Sequence, residues 1–160
     1  MSLKKINNDS WTIKENILMS IVGLIFFLNL LLPVIISIVP ISKELVVVGY
    51  ILLGIGALFV IISIVTLRRK GVSTLFDRGI YVIVRHPMYL GAIIMFFSHP
   101  FIIQHWIIVI SSLIAIICMY IIILLEEDRS LEKYGDVYNR YIQTVPRINF
   151  FLGIIRRTKK

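Results

Sequence analysis

One cysteine, Cys118, stands in 160 residues, so no internal disulfide can staple this fold. It lies inside an apolar run, says nothing about redox compartment, and reads as filler of a core or lipid face. Charge is also scarce. Asp, Glu, Lys and Arg make up 16% of the chain, against about 25% in soluble domains. Hydrophobic residues reach 58%, and the mean hydropathy is +0.92. Disorder is excluded, because so much apolar surface needs burial or lipid. A soluble enzyme is excluded too, because a monomer this small cannot hide runs of twenty apolar residues from water.

Four apolar stretches carry no Asp, Glu, Lys or Arg at all: Ile17–Val39, Leu45–Leu67, Met88–Ile103 and Trp106–Leu125. At about 1.5 Å per residue, roughly 20 residues cross a hydrocarbon layer of about 30 Å. Three stretches are long enough. The third is short, and Ser98-His99-Pro100 predicts a kink or turn near its far end. No alternating pattern suggests a barrel, so the spans are helices. No small-x-small cleavage pattern follows the first stretch, which is expected to remain as a span. The predicted fold is an all-α, multi-pass membrane bundle of four transmembrane helices with an interfacial C-terminal helix. Its expected divisions are an N-terminus at 1–16, a first helix pair at 17–67, a loop at 68–87, a second pair at 88–125 and a tail at 126–160.

The net charge of +8 invites a nucleic-acid reading, but every basic residue lies beside an apolar span. Anionic lipid accounts for the charge, and no nucleic acid is expected. With both termini cytoplasmic, sixteen of the seventeen Lys and Arg fall inside and only Lys43 outside. The positive-inside rule therefore places the loop at 68–87 and the tail in the cytoplasm, with the cell membrane as the expected location.

Almost all polar chemistry sits in those two segments. Pro87 suits the first turn of a helix, so Arg85 and His86 come just before its start. Free N–H groups and the partial positive charge there suit a carboxylate or phosphate. Glu126-Glu127-Asp128 follows the fourth span, where acids would oppose a helix terminus. Either the helix continues or the acids meet a cation. Leu131, Tyr134, Tyr138, Tyr141 and Val145 recur at helical steps, with Gly135 as a weak point.

Other features read as structure. Gly54 and Gly56 suit close helix packing. His99 and His105 lack the partners of a metal site, so no metal is expected. Trp11 and Trp106 read as interface anchors, Pro33 as a kink, and Asn29 as an interhelical hydrogen bond.

Arg85-His86-Pro87-Met88-Tyr89-Leu90-Gly91, then Glu126-Glu127, then Tyr134-Gly135-Asp136-Val137-Tyr138-Asn139-Arg140-Tyr141 and Val145-Pro146-Arg147 form an ordered set. It resembles the isoprenylcysteine carboxyl methyltransferase and phospholipid methyltransferase family of integral membrane enzymes, over about residues 77–148. The resemblance implies S-adenosyl-L-methionine as cofactor and a lipid or prenylated small molecule as acceptor. It implies cofactor contacts from Arg85, His86, Pro87, Tyr89, Gly91, Tyr134, Tyr138 and Tyr141. Glu126 or Glu127 suits the ammonium, and only one of them need face inward. Arg140 or Arg147 would position a carboxylate acceptor, and His86 or a carboxylate would deprotonate an amine acceptor. O- and N-methylation both stay open, as does the oligomeric state.

Two further readings compete. Sterol reductases share a His-Pro-x-Tyr-x-Gly element and a Lys-Tyr-Gly tail, so an NADPH-dependent membrane reductase is the enzyme alternative, disfavoured by the Glu-Glu pair. A small transporter or assembly protein is the non-enzyme alternative, disfavoured by the absence of charge at mid-membrane.

Overall fold

The computed structural model describes the backbone of residues 2–35, 38–70 and 79–158 and the side chains of 13–35, 38–68 and 79–158. Part of the expected loop at 68–87, including Arg78, and the side chain of Trp11 lie outside those residues. The described residues form helices α1 (Ser2–Ile35), α2 (Lys43–Lys70), α3 (Pro87–Ile103), α4 (Trp106–Tyr134), α5 (Asp136–Thr144) and α6 (Phe150–Thr158). A 3-10 turn, Gly79–Val82, precedes α3. No strand occurs among them. Ile13–Ile35, Lys43–Arg68 and Trp106–Tyr134 are long and apolar enough to cross a bilayer, and α3 is a shorter apolar helix. The chain is a helical membrane bundle.

The helices pack in the order α2, α3, α4, α1, so that α1 rests on α4. The link from α1 to α2 therefore crosses the α3–α4 turn. Gln104 fastens it there. Its Oε1 accepts from the backbone N–H of Ile41 (3.0 Å) and Ser42 (2.8 Å), and its Nε2 donates to the Ser42 carbonyl (2.6 Å). Gln104 itself is left-handed (φ 56°), which ends α3.

Close approach of α2 and α3 depends on Gly56 and Gly91. A Cβ on Gly91 would stand 2.6 Å from the Gly56 carbonyl oxygen, and a Cβ on Gly56 would meet the Gly91 carbonyl at 2.6 Å. Gly54 meets nothing within 4 Å, so only one member of the Gly54/Gly56 pair serves packing. Between α1, α3 and α4, the core gathers Val22, Ile25, Phe96, Ala115, Met119 and Ile122. Cys118 belongs to this core and not to the lipid face. Outward residues such as Leu24, Phe27 and Leu58 stay exposed to lipid.

Asn29 is buried and ties α1 to α4. It accepts from Ser111 Oγ at 2.7 Å and donates from Nδ2 to Ser112 Oγ at 3.2 Å. Lipid offers these groups no alternative partner, so satisfying them specifies which face of α1 meets α4.

α3 ends where its apolar stretch does, whereas α4 runs on past its own. α3 continues through Pro100 to Ile103 and turns only at Gln104. The Ser98 hydroxyl (2.6 Å) and His99 Nδ1 (2.8 Å) both reach the Met95 carbonyl, keeping polar atoms paired around the proline. α4 runs nine residues past Leu125, to Tyr134. Gly135, at φ 53°, ends it and starts α5.

Candidate active site

The chain entering α3 is held by the chain leaving α5. The Arg85 N–H donates to the Pro146 carbonyl (3.0 Å), and the His86 N–H donates to the Arg147 carbonyl (3.1 Å). Pro87 then occupies the first turn of α3, fully buried, where its missing N–H costs nothing. The His86 side chain makes no cap to this turn. It is free to point across the bundle.

It points at Glu127. His86 Nε2 lies 3.1 Å from Glu127 Oε1, and Arg85 Nη1 stands 3.1 Å from the same oxygen. The other oxygen, Oε2, accepts from Arg147 Nε (3.0 Å) and Nη2 (2.6 Å). Arg147 Nη1 goes on to donate to the Tyr120 hydroxyl at 2.9 Å. One carboxylate thus faces two guanidiniums and an imidazole. Its side chain is only 6% exposed, and that of Arg85 only 7%. Such a charge is tolerable when buried only because it is paired this fully. The Glu127 contact in turn holds the Arg147 guanidinium above its usual pKa.

The arrangement leaves particular atoms over. Arg85 Nε and Glu126 Oε2 are buried and have no hydrogen-bond partner. Glu15 Oε1 is likewise unpartnered, although Glu15 Oε2 takes Arg129 Nη1 at 2.7 Å. Tyr89 feels the charges of Glu126, Glu15 and Arg129, and its ring meets the edge of His86 at 5.9 Å. Buried donor nitrogens on Arg85 and a buried carboxylate oxygen on Glu126 therefore lie without hydrogen-bond partners on residues that contact or adjoin Glu127. Such a pair can accept an anionic and a cationic group on one small molecule.

The aromatic tail is an inner support. Tyr138 and Tyr141 are buried with Val145, and Leu131, Tyr134 and Ile142 pack on them. The Tyr141 hydroxyl donates to the Tyr81 carbonyl at 2.6 Å, tying α5 to the 3-10 turn. Burial, then the charge of Glu127, pushes the Tyr138 phenol up to about 12. Burial and the charge of Glu126 push Tyr81 up to about 12 as well.

The structure thus brings together Arg85, His86, Pro87, Tyr89, Glu126, Glu127 and Arg147 at one end of the bundle. Tyr138 and Tyr141 stand behind them in the tail, and Tyr134 is half-buried with Lys133 Nζ 5.0 Å over its ring. Gly91 faces α2 at the Gly56 contact, and Arg140 is exposed on α5. Sequence reasoning missed Tyr120, Tyr81, Glu15 and Arg129. Tyr120 had a signal, since it lies seven residues, two helical turns, before Glu127 on the same face of α4. The Glu15–Arg129 pair had none, being 114 residues apart.

A family model of phospholipid methyltransferases matches residues 45–137. The chain belongs to the phospholipid methyltransferase family. The match runs from the start of α2 into α5, and it includes Arg85, His86, Glu126 and Glu127 but not Arg147 or α1. No curated protein and no solved structure matches the chain. Membership makes this a membrane methyltransferase, in preference to the reductase and transporter readings, and methyltransferases of the family generally use S-adenosyl-L-methionine.

Proposed function

We propose that the chain transfers a methyl group from S-adenosyl-L-methionine to the amine head group of a phospholipid, at the cytoplasmic end of the bundle. The observation carrying this reading is that buried groups of opposite charge, Arg85 Nε and Glu126 Oε2, are left without hydrogen-bond partners on residues that contact or adjoin Glu127. S-adenosyl-L-methionine carries a carboxylate and an ammonium, and this donor set fits both. Arg85 and the free N–H groups opening α3 would hold the carboxylate. Glu126 would hold the ammonium, leaving Glu127 to fix Arg85, His86 and Arg147. When bound, the cofactor supplies an electrophilic methyl group on a sulfonium.

The protein's own work is alignment and proton removal. In-line displacement is accelerated chiefly by holding the reacting atoms in register away from water. A lipid amine is protonated near neutrality and must lose its proton before it can attack. His86 is the group proposed for that step, with its Nε2 oriented by Glu127. The apolar helix faces would dock the acyl chains, each CH₂ contributing about 0.8 kcal/mol. A prenyl-cysteine carboxylate would need no base, only an arginine; Arg147 is already taken up by Glu127 and Tyr120, and Arg140 is exposed on α5. The cytoplasmic assignment is supported by the basic residues, sixteen of seventeen on one side.

Calorimetry on detergent-purified protein, followed by methyl transfer to aminophospholipid vesicles, tests the reading. Saturable binding of S-adenosyl-L-methionine and methylated aminolipid are expected. Binding of NADPH instead, or methylation confined to water-soluble short-chain amines, would overturn it.

A further inference from the structure

The last helix, α6, is poorly covered by the rest of the chain. Its one buried residue is Gly153, packed so tightly that a Cβ there would overlap the Ile83 carbonyl. Phe150 sits on the same side, with its ring 5.1 Å from that of Phe59 and its side chain against the cluster of Ile80, Tyr81 and Val84. Turning about 100° per residue, the opposite side presents Phe151 (77% exposed), Ile155 (51%) and Leu152 (37%). Exposed Arg156 and Arg157 follow, and the sequence continues with Thr158-Lys159-Lys160.

We infer that α6 lies in the membrane interface, with Phe151, Leu152 and Ile155 among acyl chains and Arg156 and Arg157 on anionic lipid head groups. Two observations select a lipid surface over a protein partner. First, Phe59 lies nine residues before Arg68, where the α2 span ends. That is about 13 Å along the helix, so the Phe150–Phe59 contact sets the start of α6 level with the hydrocarbon layer. Second, four of the last five residues are basic, which complements an anionic leaflet. The consequence reaches the active end, since Gly153 and Phe150 brace the segment from Ile80 to Val84 immediately before Arg85. This inference stands apart from the proposed reaction, and its test reads no activity.

Full-length chain carrying Cys118→Ser is given one cysteine, Ile155→Cys, labelled with a fluorophore, and reconstituted in vesicles. One set is phosphatidylcholine alone, and the other adds phosphatidylglycerol. Phe27→Cys, on the lipid face of α1, reports correct insertion. At position 155, a lipid-borne quencher should outperform aqueous iodide in the anionic vesicles and do so less in the neutral ones. Each basic side chain near an anionic surface contributes about fivefold to docking, so R156E/R157E, which removes two and adds repulsion, should shift the balance toward water by about twenty-fivefold or more in the anionic vesicles. Iodide dominating in both vesicle types would overturn the inference. So would quenching indifferent to lipid charge and to R156E/R157E, or shielding from both quenchers accompanied by crosslinked dimers.

Discussion

Arg147 grips one oxygen of Glu127 with two nitrogens, at 3.0 and 2.6 Å, across the gap between the tail and α4. The other Glu127 oxygen is given to Arg85 and His86. A single carboxylate thereby fastens three separate chain segments, and its neighbour Glu126 is left with an unpartnered oxygen. The two consecutive acids therefore have different duties, and substitutions should separate them.

Glu127→Gln is expected to be mainly a stability defect. It leaves the Arg85 guanidinium buried without its counter-charge, and removing one partner of a buried pair costs about 3–5 kcal/mol. Thermal unfolding in detergent should fall markedly, and proteolysis should release the tail first. Glu126→Gln should unfold at nearly the unaltered temperature yet bind S-adenosyl-L-methionine about ten- to a hundredfold more weakly, the worth of one charge-assisted hydrogen bond. The reverse assignment, with binding lost only in Glu127→Gln at full stability, would show that the duties are exchanged.

Tyr141→Phe removes the donor to the buried Tyr81 carbonyl. Leaving that oxygen unpaired should cost about 1–3 kcal/mol. Because the bond joins α5 to the turn before α3, hydrogen exchange should quicken in both segments together. Exchange confined to α5 would show that the link carries no stability.

Gly91→Ala inserts a methyl group where the Gly56 carbonyl lies 2.6 Å away and Phe59 Cβ 2.9 Å. Overpacking of this kind costs about 1–3 kcal/mol, since the atoms met are backbone and near-backbone. Gly54→Ala, with nothing within 4 Å, serves as the control and should lose nothing. Equal unfolding temperatures for the two variants would remove the close contact from the account.

Alkaline pH should loosen the tail. Tyr81 and Tyr138 are raised from 10 to about 12, chiefly by burial and then by the charges of Glu126 and Glu127. Their folded values lie above the unfolded ones, so this contribution to stability is complete below pH 10. It is lost as the pH climbs from 10 through about 12. Tyrosinate absorbance followed beside thermal unfolding should show the unfolding temperature dropping within that window. A flat stability profile there would mean that these phenols are solvated.

Much of the bundle was legible because lipid imposes a coarse code. Runs of uncharged apolar residues had to be helices, and Asn29 within such a run had to find a partner. Hydropathy reports contact with lipid and not continuity of the backbone, so it gave Leu125 as a boundary where α4 runs on to Tyr134. The helix start at Pro87 and the acids at the end of the fourth span were readable from residue types at helix ends. Which acid turns inward was not readable. Adjacent residues on a helix point about 100° apart, and only the packing of α4 against Arg85 and the tail selects Glu127. Arg147 was similarly out of reach as a clamp, because its commitment depends on backbone pairing between residues 85–86 and 146–147.

Gln104 gives the bundle a fulcrum. By holding Ile41 and Ser42 against the end of α3, it locks the helices together at the extremity remote from Glu127. Toward the other end α1 is held to α4 by the Glu15–Arg129 pair and α2 to α3 by the Gly56–Gly91 approach, so the link between α1 and α2 is drawn against α3 rather than left slack between two separately anchored helices.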